Sequence, residues 1–163
     1  MARRPSAKER ALKLLSARWR TGEELRRRLL ALGYGPEEVS RALEELRGLG
    51  LVDDERFARE LARDRGGRRL VGDQAILAAL RERGVAREVA EAALEEAGEE
   101  GARARELARR RARSLAGLPP QDAFRKLYGL LVRRGFPPAA AARACREALG
   151  AEGPEELEPP PEG

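Results

Sequence analysis

The chain has 163 residues, 42% hydrophobic and 37% charged, with a formal net charge of +5, one cysteine and no histidine. A single cysteine excludes an internal disulfide, and no apolar run approaches the roughly 18 residues of a membrane-spanning helix. The missing histidine removes the commonest general base and the commonest metal ligand together, so composition points away from an enzyme and from a metal protein.

Leu and Ala dominate the apolar residues and β-branched types are scarce, which favours helices because unbranched side chains lose little rotamer freedom there. Ser6-Ala-Lys-Glu9 reads as a capping box opening a first helix with Ala11, Leu12 and Leu15 as its stripe. Thr21-Gly-Glu-Glu24 reads as a second box, opening a helix that buries Leu25 and Leu29. Pro36 then starts a third, with Val39 and Leu43 one turn apart. Asp53, Asp54 and Glu55 crowd the start of a fourth helix, where the macrodipole favours acids; Phe57 and Leu61 form its stripe and Gly66-Gly67 its expected stop. Arg68 and Arg69 are expected to begin the next helix, which carries Ile76 and Leu80, and Ala90 and Leu94 mark a sixth. Glu99 through Ala116 reads as one long Arg-rich helix closed by Gly117 and Pro119-Pro120. Leu127 and Leu131 belong to an eighth, and Ala141 and Cys145 to a ninth, which begins at Pro137-Pro138.

These nine helices are one pattern used three times. Gly33, Gly84 and Gly135 stand 51 residues apart. Eight positions before each stands Leu25, Ile76 or Leu127, and four before stands Leu29, Leu80 or Leu131. The next position after each glycine is Tyr34, Val85 or Phe136. Six and ten positions after come Val39, Ala90 or Ala141, and Leu43, Leu94 or Cys145. A glycine just past a helix end is free to take φ > 0, and the apolar residue after it packs back on that end. The expectation is an all-α protein of three tandem three-helix repeats, at residues 1–50, 51–98 and 99–150, forming an elongated curved arrangement. Residues 151–163 carry five Glu and no base, and read as a disordered acidic tail.

Removing that tail of charge −5 from a total of +5 leaves +10 on residues 1–150. Thirty of the thirty-three bases are Arg, a bias that fits a GC-rich genome or a hot habitat and equally fits the grip of a planar fork on phosphate or carboxylate. The candidate contacts are Arg26 and Arg27 with Arg28 on one helix, Arg68 and Arg69, Arg109, Arg110, Arg111 and Arg113, and Arg133 and Arg134. Residues 103–113 hold bases at 103, 105, 109, 110, 111 and 113 against one acid, Glu106, an imbalance that invites an anionic partner. Solvated faces balanced by i, i+4 pairs are the plainer explanation of any single cluster. Trp19 and Tyr128 could stack on bases, though packing is the commoner role. No glycine-rich phosphate loop occurs, the Asp53–Asp54 pair is accounted for by capping, and Cys145 sits in a core column as a small hydrophobe. No catalytic residue, metal or cofactor is expected. The charged start, Met-Ala-Arg-Arg-Pro, has no signal-type apolar stretch after it, so the expectation is a soluble cytoplasmic monomer.

Residues 11–34 and the run Gly50-Leu-Val-Asp53-Asp54-Glu-Arg56-Phe57-Ala58 resemble the N-terminal half of the RecX family of recombination regulators. Leu80 to Val85 matches the middle unit of that family, and Leu131, Arg133, Arg134, Gly135 and Phe136 its closing unit. Residues 67–75 follow the pattern least. The resemblance implies mainly structural roles for Asp53, Asp54, Arg56, Phe57, Gly135 and Phe136. It also implies a partner, the RecA recombinase filament on single-stranded DNA, whose ATPase, strand exchange and growth such proteins inhibit. Direct contact with single- or double-stranded DNA stays open. So do two other readings, a stand-alone helix-turn-helix DNA binder and a helical-repeat scaffold.

Overall fold

A computed structural model describes residues 2–150, and among them there are nine α-helices and no strand. They run α1 (Ala7–Ala17), α2 (Gly22–Ala31), α3 (Pro36–Gly48), α4 (Asp54–Arg63), α5 (Asp73–Glu82), α6 (Arg87–Ala93), α7 (Glu100–Ala112), α8 (Pro120–Arg133) and α9 (Pro138–Leu149). The acidic residues 151–163, read as a disordered tail, lie outside the described residues.

The repeat glycines work as their spacing requires. Gly33, Gly84 and Gly135 have φ of 88°, 75° and 90°. After each, the N–H of Tyr34, Val85 or Phe136 donates to the carbonyl of Leu29, Leu80 or Leu131, at 3.2, 3.0 and 3.1 Å. The glycine N–H itself donates to Leu30, Arg81 or Val132. This is the paired bond of a Schellman stop, and any residue with a Cβ would be strained at that φ. The same turn thus reverses the chain three times and sets the second and third helices of each unit against each other.

Burial follows the stripes. Leu25, Leu29, Val39, Leu43 and Leu46 fill the first core with Ala7 and Ala11. Phe57, Ile76, Leu80, Val85 and Ala90 fill the second. Phe124, Leu127, Leu131, Phe136 and Cys145 fill the third. At about 1.5–3 kcal/mol for each fully buried large aliphatic or aromatic side chain, every unit draws its stability from its own small cluster. Two residues of the second unit cross over, Val52 into the first core and Leu70 into the third. Leu70, from the segment before α5, is buried in the third core, and it does so with a φ of 51°, left-handed backbone that a leucine rarely adopts.

Several expectations are corrected. The Gly66-Gly67 pair does not stop α4, because the chain continues as a π-helical turn over Asp64–Arg68. Gly66 is there because a Cβ would come within 2.5 Å of the Ala97 side chain, so this turn lies directly on the end of the second unit. Arg68 and Arg69 therefore close a turn rather than begin a helix; α5 starts at Asp73. The Arg-rich helix ends at Ala112 and tightens into a 3₁₀ turn over Arg113–Leu115. The Ser6–Glu9 box is complete, but at Thr21 only half forms. Thr21 accepts from the Glu24 N–H, while the Glu24 carboxylate is turned toward Arg83 and Arg18 instead of the cap. Leu12 is 39% exposed, so the stripe of α1 is Ala7 and Ala11 with Leu14 and Leu15 beside them.

Candidate functional site: the arginine grooves at the unit junctions

Consecutive units meet end to end through polar groups. At the first junction the Thr21 hydroxyl donates to the Arg83 carbonyl at 2.5 Å, and the Gly22 N–H donates to Asp54 at 2.9 Å. Arg83 pairs with Glu24, and its guanidinium lies 4.7 Å above the Phe57 ring. Trp19 meets Phe57 edge-on at 5.7 Å, with Arg56 over its ring at 5.5 Å. At the second junction the Gly72 N–H donates to the Arg134 carbonyl at 2.8 Å and the Asp73 N–H donates to Glu100 at 2.8 Å. Arg103, 5% exposed, donates there to the carbonyls of Val71 and Gly98 and to Asp73.

Each junction opens into a groove lined by arginine. The first holds Arg18, Arg20, Arg27, Arg28 and Arg83 together with Glu24 and Glu82. The second, about 580 Å³, holds Arg65, Arg68, Arg69, Arg110, Arg111 and Arg134 over a floor of Leu70, Val71 and Leu107, with no acid in its lining. Three elements deliver these six guanidinium groups: the π-helical turn, the last turn of α7, and the end of α8. Their ion-pair partners among the described residues are Asp64, 3.9 Å from Arg68 and 3.5 Å from Arg69, and Glu106, 2.7 Å from Arg110. Arg65 and Arg111 have no carboxylate partner there, and Arg134 donates to the Arg69 carbonyl at 2.9 Å. Six cations against two carboxylates leave the groove strongly positive, and like charges so close favour an anion.

The residues singled out from the sequence divide accordingly. Arg68, Arg69, Arg110, Arg111 and Arg134 converge in the second groove, and Arg27 lines the first, where it pairs with Glu23 at 3.2 Å. Arg26, Arg109, Arg113 and Arg133 are exposed outside both. Arg109 is held by Glu106 at 2.8 Å, and the hydrogen bonds from Arg109 and then Arg110 push that carboxyl down to about 2. The excess on residues 103–113 is thus smaller than a count suggests, because Arg103 is buried on Asp73 and Arg105 pairs with Glu99 at 3.4 Å. Arg65, Arg18, Arg20 and Arg83 were missed. Nothing local marks them, since it is the meeting of separate units that brings them into the grooves. Asp53 caps α4 by accepting from the Arg56 N–H, whereas Asp54 reaches the first junction. Tyr128 is buried and stacked on Phe124 at 5.9 Å, so it packs and offers no face to a base. Burial pushes the Cys145 thiol up to about 12. Among the described residues no group of His, Cys, Asp and Glu could hold a metal ion, and no helix is long and apolar enough to cross a membrane.

Comparison with known proteins matches the first RecX three-helix domain over residues 7–46, the second over 53–94 and the third over 99–145. The chain belongs to the RecX family. It is 35% identical to the regulatory protein RecX of Pelodictyon phaeoclathratiforme over 132 residues, 81% of this chain and 82% of that one. With the regulatory protein RecX of Amycolatopsis mediterranei it shares 38% over 151 residues, 91% and 86% of the two chains. The crystal structure of RecX from Lactobacillus salivarius superposes with a TM-score of 0.78 at 22% identity, covering 87% of this chain and 94% of that one, which shows the shared fold. A second RecX crystal structure superposes with a TM-score of 0.70 at 26% identity. Family membership makes the chain a regulatory, non-enzymatic protein.

Proposed function

We propose that this RecX-family chain binds the RecA recombinase filament on single-stranded DNA and inhibits its ATPase, strand exchange and filament growth, acting as a monomer. The observation that carries the reading beyond family membership is the convergence of six arginines at one unit junction with two carboxylates to balance them. A nucleoprotein filament is a repeating anionic helix, and a protein of stacked units offers it cations at fixed intervals. No bond-making is asked of the chain. Binding that favours one arrangement of neighbouring filament subunits shifts the population toward it, and an arrested arrangement neither hydrolyses ATP nor grows. The contacts assigned to the partner are Arg68, Arg69, Arg110, Arg111 and Arg134 with Arg65, and Arg27 on the first groove. Arg26, Arg109, Arg113 and Arg133 are peripheral to them.

The test is single-strand-dependent ATP hydrolysis by the recombinase with increasing amounts of this protein. Suppression at substoichiometric levels is expected. Undiminished hydrolysis at equimolar protein contradicts the proposal.

A further inference from the structure

The two junctions are built on the same frame, and comparing them shows what the second one takes. Arg18 and Arg83 line the first groove; 51 residues on stand Arg69 and Arg134, which line the second. The acceptor that joins the units is also repeated: the Thr21 hydroxyl donates to the Arg83 carbonyl, and the N–H of Gly72, 51 residues after Thr21, donates to the Arg134 carbonyl. In the first groove a carboxylate from the chain itself sits between the two arginines, with Glu24 paired to Arg83 on one oxygen and 3.5 Å from Arg18 on the other. The position 51 residues after Glu24 is Ala75. The second pair keeps the arginines without a carboxylate between them: Asp64 stands 3.5 Å from Arg69, no carboxylate among the described residues pairs with Arg134, and Arg65, Arg68, Arg110 and Arg111 are added around the pair.

We infer that the second groove, at Arg69 and Arg134 with Arg65 and Arg111, is a binding site for the phosphodiester backbone of nucleic acid, a phosphate oxygen taking the place that Glu24 fills one unit earlier. A guanidinium meets a carboxylate or a phosphate with the same fork, so the occupied first site identifies an oxyanion as the ligand of the second. Phosphate is the better fit. The forks come from three elements and so approach from several directions, which suits a tetrahedral oxyanion better than one planar carboxylate. The floor is aliphatic, with Leu70, Val71 and Leu107 offering sugar-sized apolar contact and no aromatic lines the groove to stack a base. Binding is therefore of the backbone type, indifferent to sequence. This inference rests on the same groove being the partner-facing surface, and it adds that the DNA of the partner, rather than only its protein, is touched.

The test uses the full chain and a fluorescent oligothymidylate with no recombinase present, so that a failure here leaves the recombinase proposal standing and the converse is equally visible. Affinity is followed between about 50 and 200 mM salt, where each phosphate contact steepens the logarithmic slope by about 0.7 on a single strand. Arg65→Ala/Arg111→Ala is expected to weaken binding by about tenfold or more and to flatten the slope by about 1–2. Arg41→Ala/Arg125→Ala removes the same charge from exposed positions outside the groove and is expected to change affinity by less than about twofold. Ala75→Glu supplies the internal carboxylate and is expected to match the double groove variant. Melting curves check that it folds; if it does not, Arg65→Ala/Arg111→Ala set against the control pair decides. Equal losses for the groove and control pairs, no binding by the parent chain, or preference for polyglutamate over the oligonucleotide at equal ionic strength would each overturn the inference, the last by assigning the groove to an acidic protein surface.

Discussion

Arg103 is a charged side chain with 5% of its surface exposed, and a buried guanidinium persists only where its donors are met. Here Val71 accepts at 3.1 Å, Asp73 at 2.5 Å and the Gly98 carbonyl as well, so one side chain ties α7 to the segment before α5 and to the end of the second unit. Truncation would strand Asp73 and two carbonyls. Asp73 keeps 32% of its side-chain surface, so the loss belongs at the low end for a broken buried pair. Arg103→Ala is expected to cost about 3 kcal/mol in chemical denaturation, and Asp73→Asn to cost much less once Arg103 is already gone. Additive losses would show that the pair does not act as one. A sum of charges over 103–113 places this residue on a cationic face; its helical register does not. Arg103 stands four residues before Leu107 and one before Ala104, on the stripe that α7 buries. The periodicity that marks the core was legible in the sequence, and it outranks charge as a guide to where this arginine points.

At the scale of elements, the turns were the most readable part, because a Schellman stop needs a glycine, a preceding leucine and a following apolar residue at fixed offsets, and all three recur. The π-helical turn at Asp64–Arg68 was not readable: two glycines are a normal stop, and what carries the chain through them is the approach of Ala97, thirty-odd positions away. That difference matters for the groove, since the turn aims Arg65, Arg68 and Arg69 at the third unit. Helix α7, the other wall, has one carboxylate capping its start and another paired with arginines from its middle. Glu99 caps it by accepting from the N–H groups of Ala102 at 2.7 Å and Gly101 at 2.8 Å, bonds that lower its pKa. Glu106 is brought to about 2 by Arg109 and Arg110 in the next turn. Both carboxyls are held below the ordinary 4.5, so the stabilisation they give α7 is complete above that pH and is lost as pH falls below it. As pH falls below 4.5, amide exchange at Gly101 and Ala102 is expected to rise before that in α8. Glu99→Gln should shift this fraying upward in pH and shrink its dependence on acid. Protection of Gly101 and Ala102 that is flat over this range would mean the cap contributes nothing to the helix.

The whole molecule is three small cores in series, joined where charged and polar groups outnumber apolar ones. Apolar contact between units runs through Val52 inside the first core, Leu70 inside the third, and Trp19 against Phe57 at the first junction. Stability in such a chain is a sum of unit terms and neighbour terms, and a lesion in one unit is felt mainly there and across its own junctions. Phe57 tests this, because it is 7% exposed in the second core and also the ring on which Trp19 and Arg83 rest. Phe57→Ala is expected to destabilise the second unit by about 3–5 kcal/mol. Hydrogen exchange should accelerate through α4–α6 while the amides of α8 and α9 keep their protection. The single tryptophan should report the same event from the first unit, its emission shifting to the red as its apolar neighbour is removed. Equal acceleration in all nine helices would instead mean that the junctions transmit folding fully, and then the second groove would be as rigid as the cores beside it. If the loss stays local, the groove at the second junction is set by few contacts, chiefly Arg103, Leu70 and the Gly72–Arg134 bond, and its width is the property of the molecule most easily altered by what binds there.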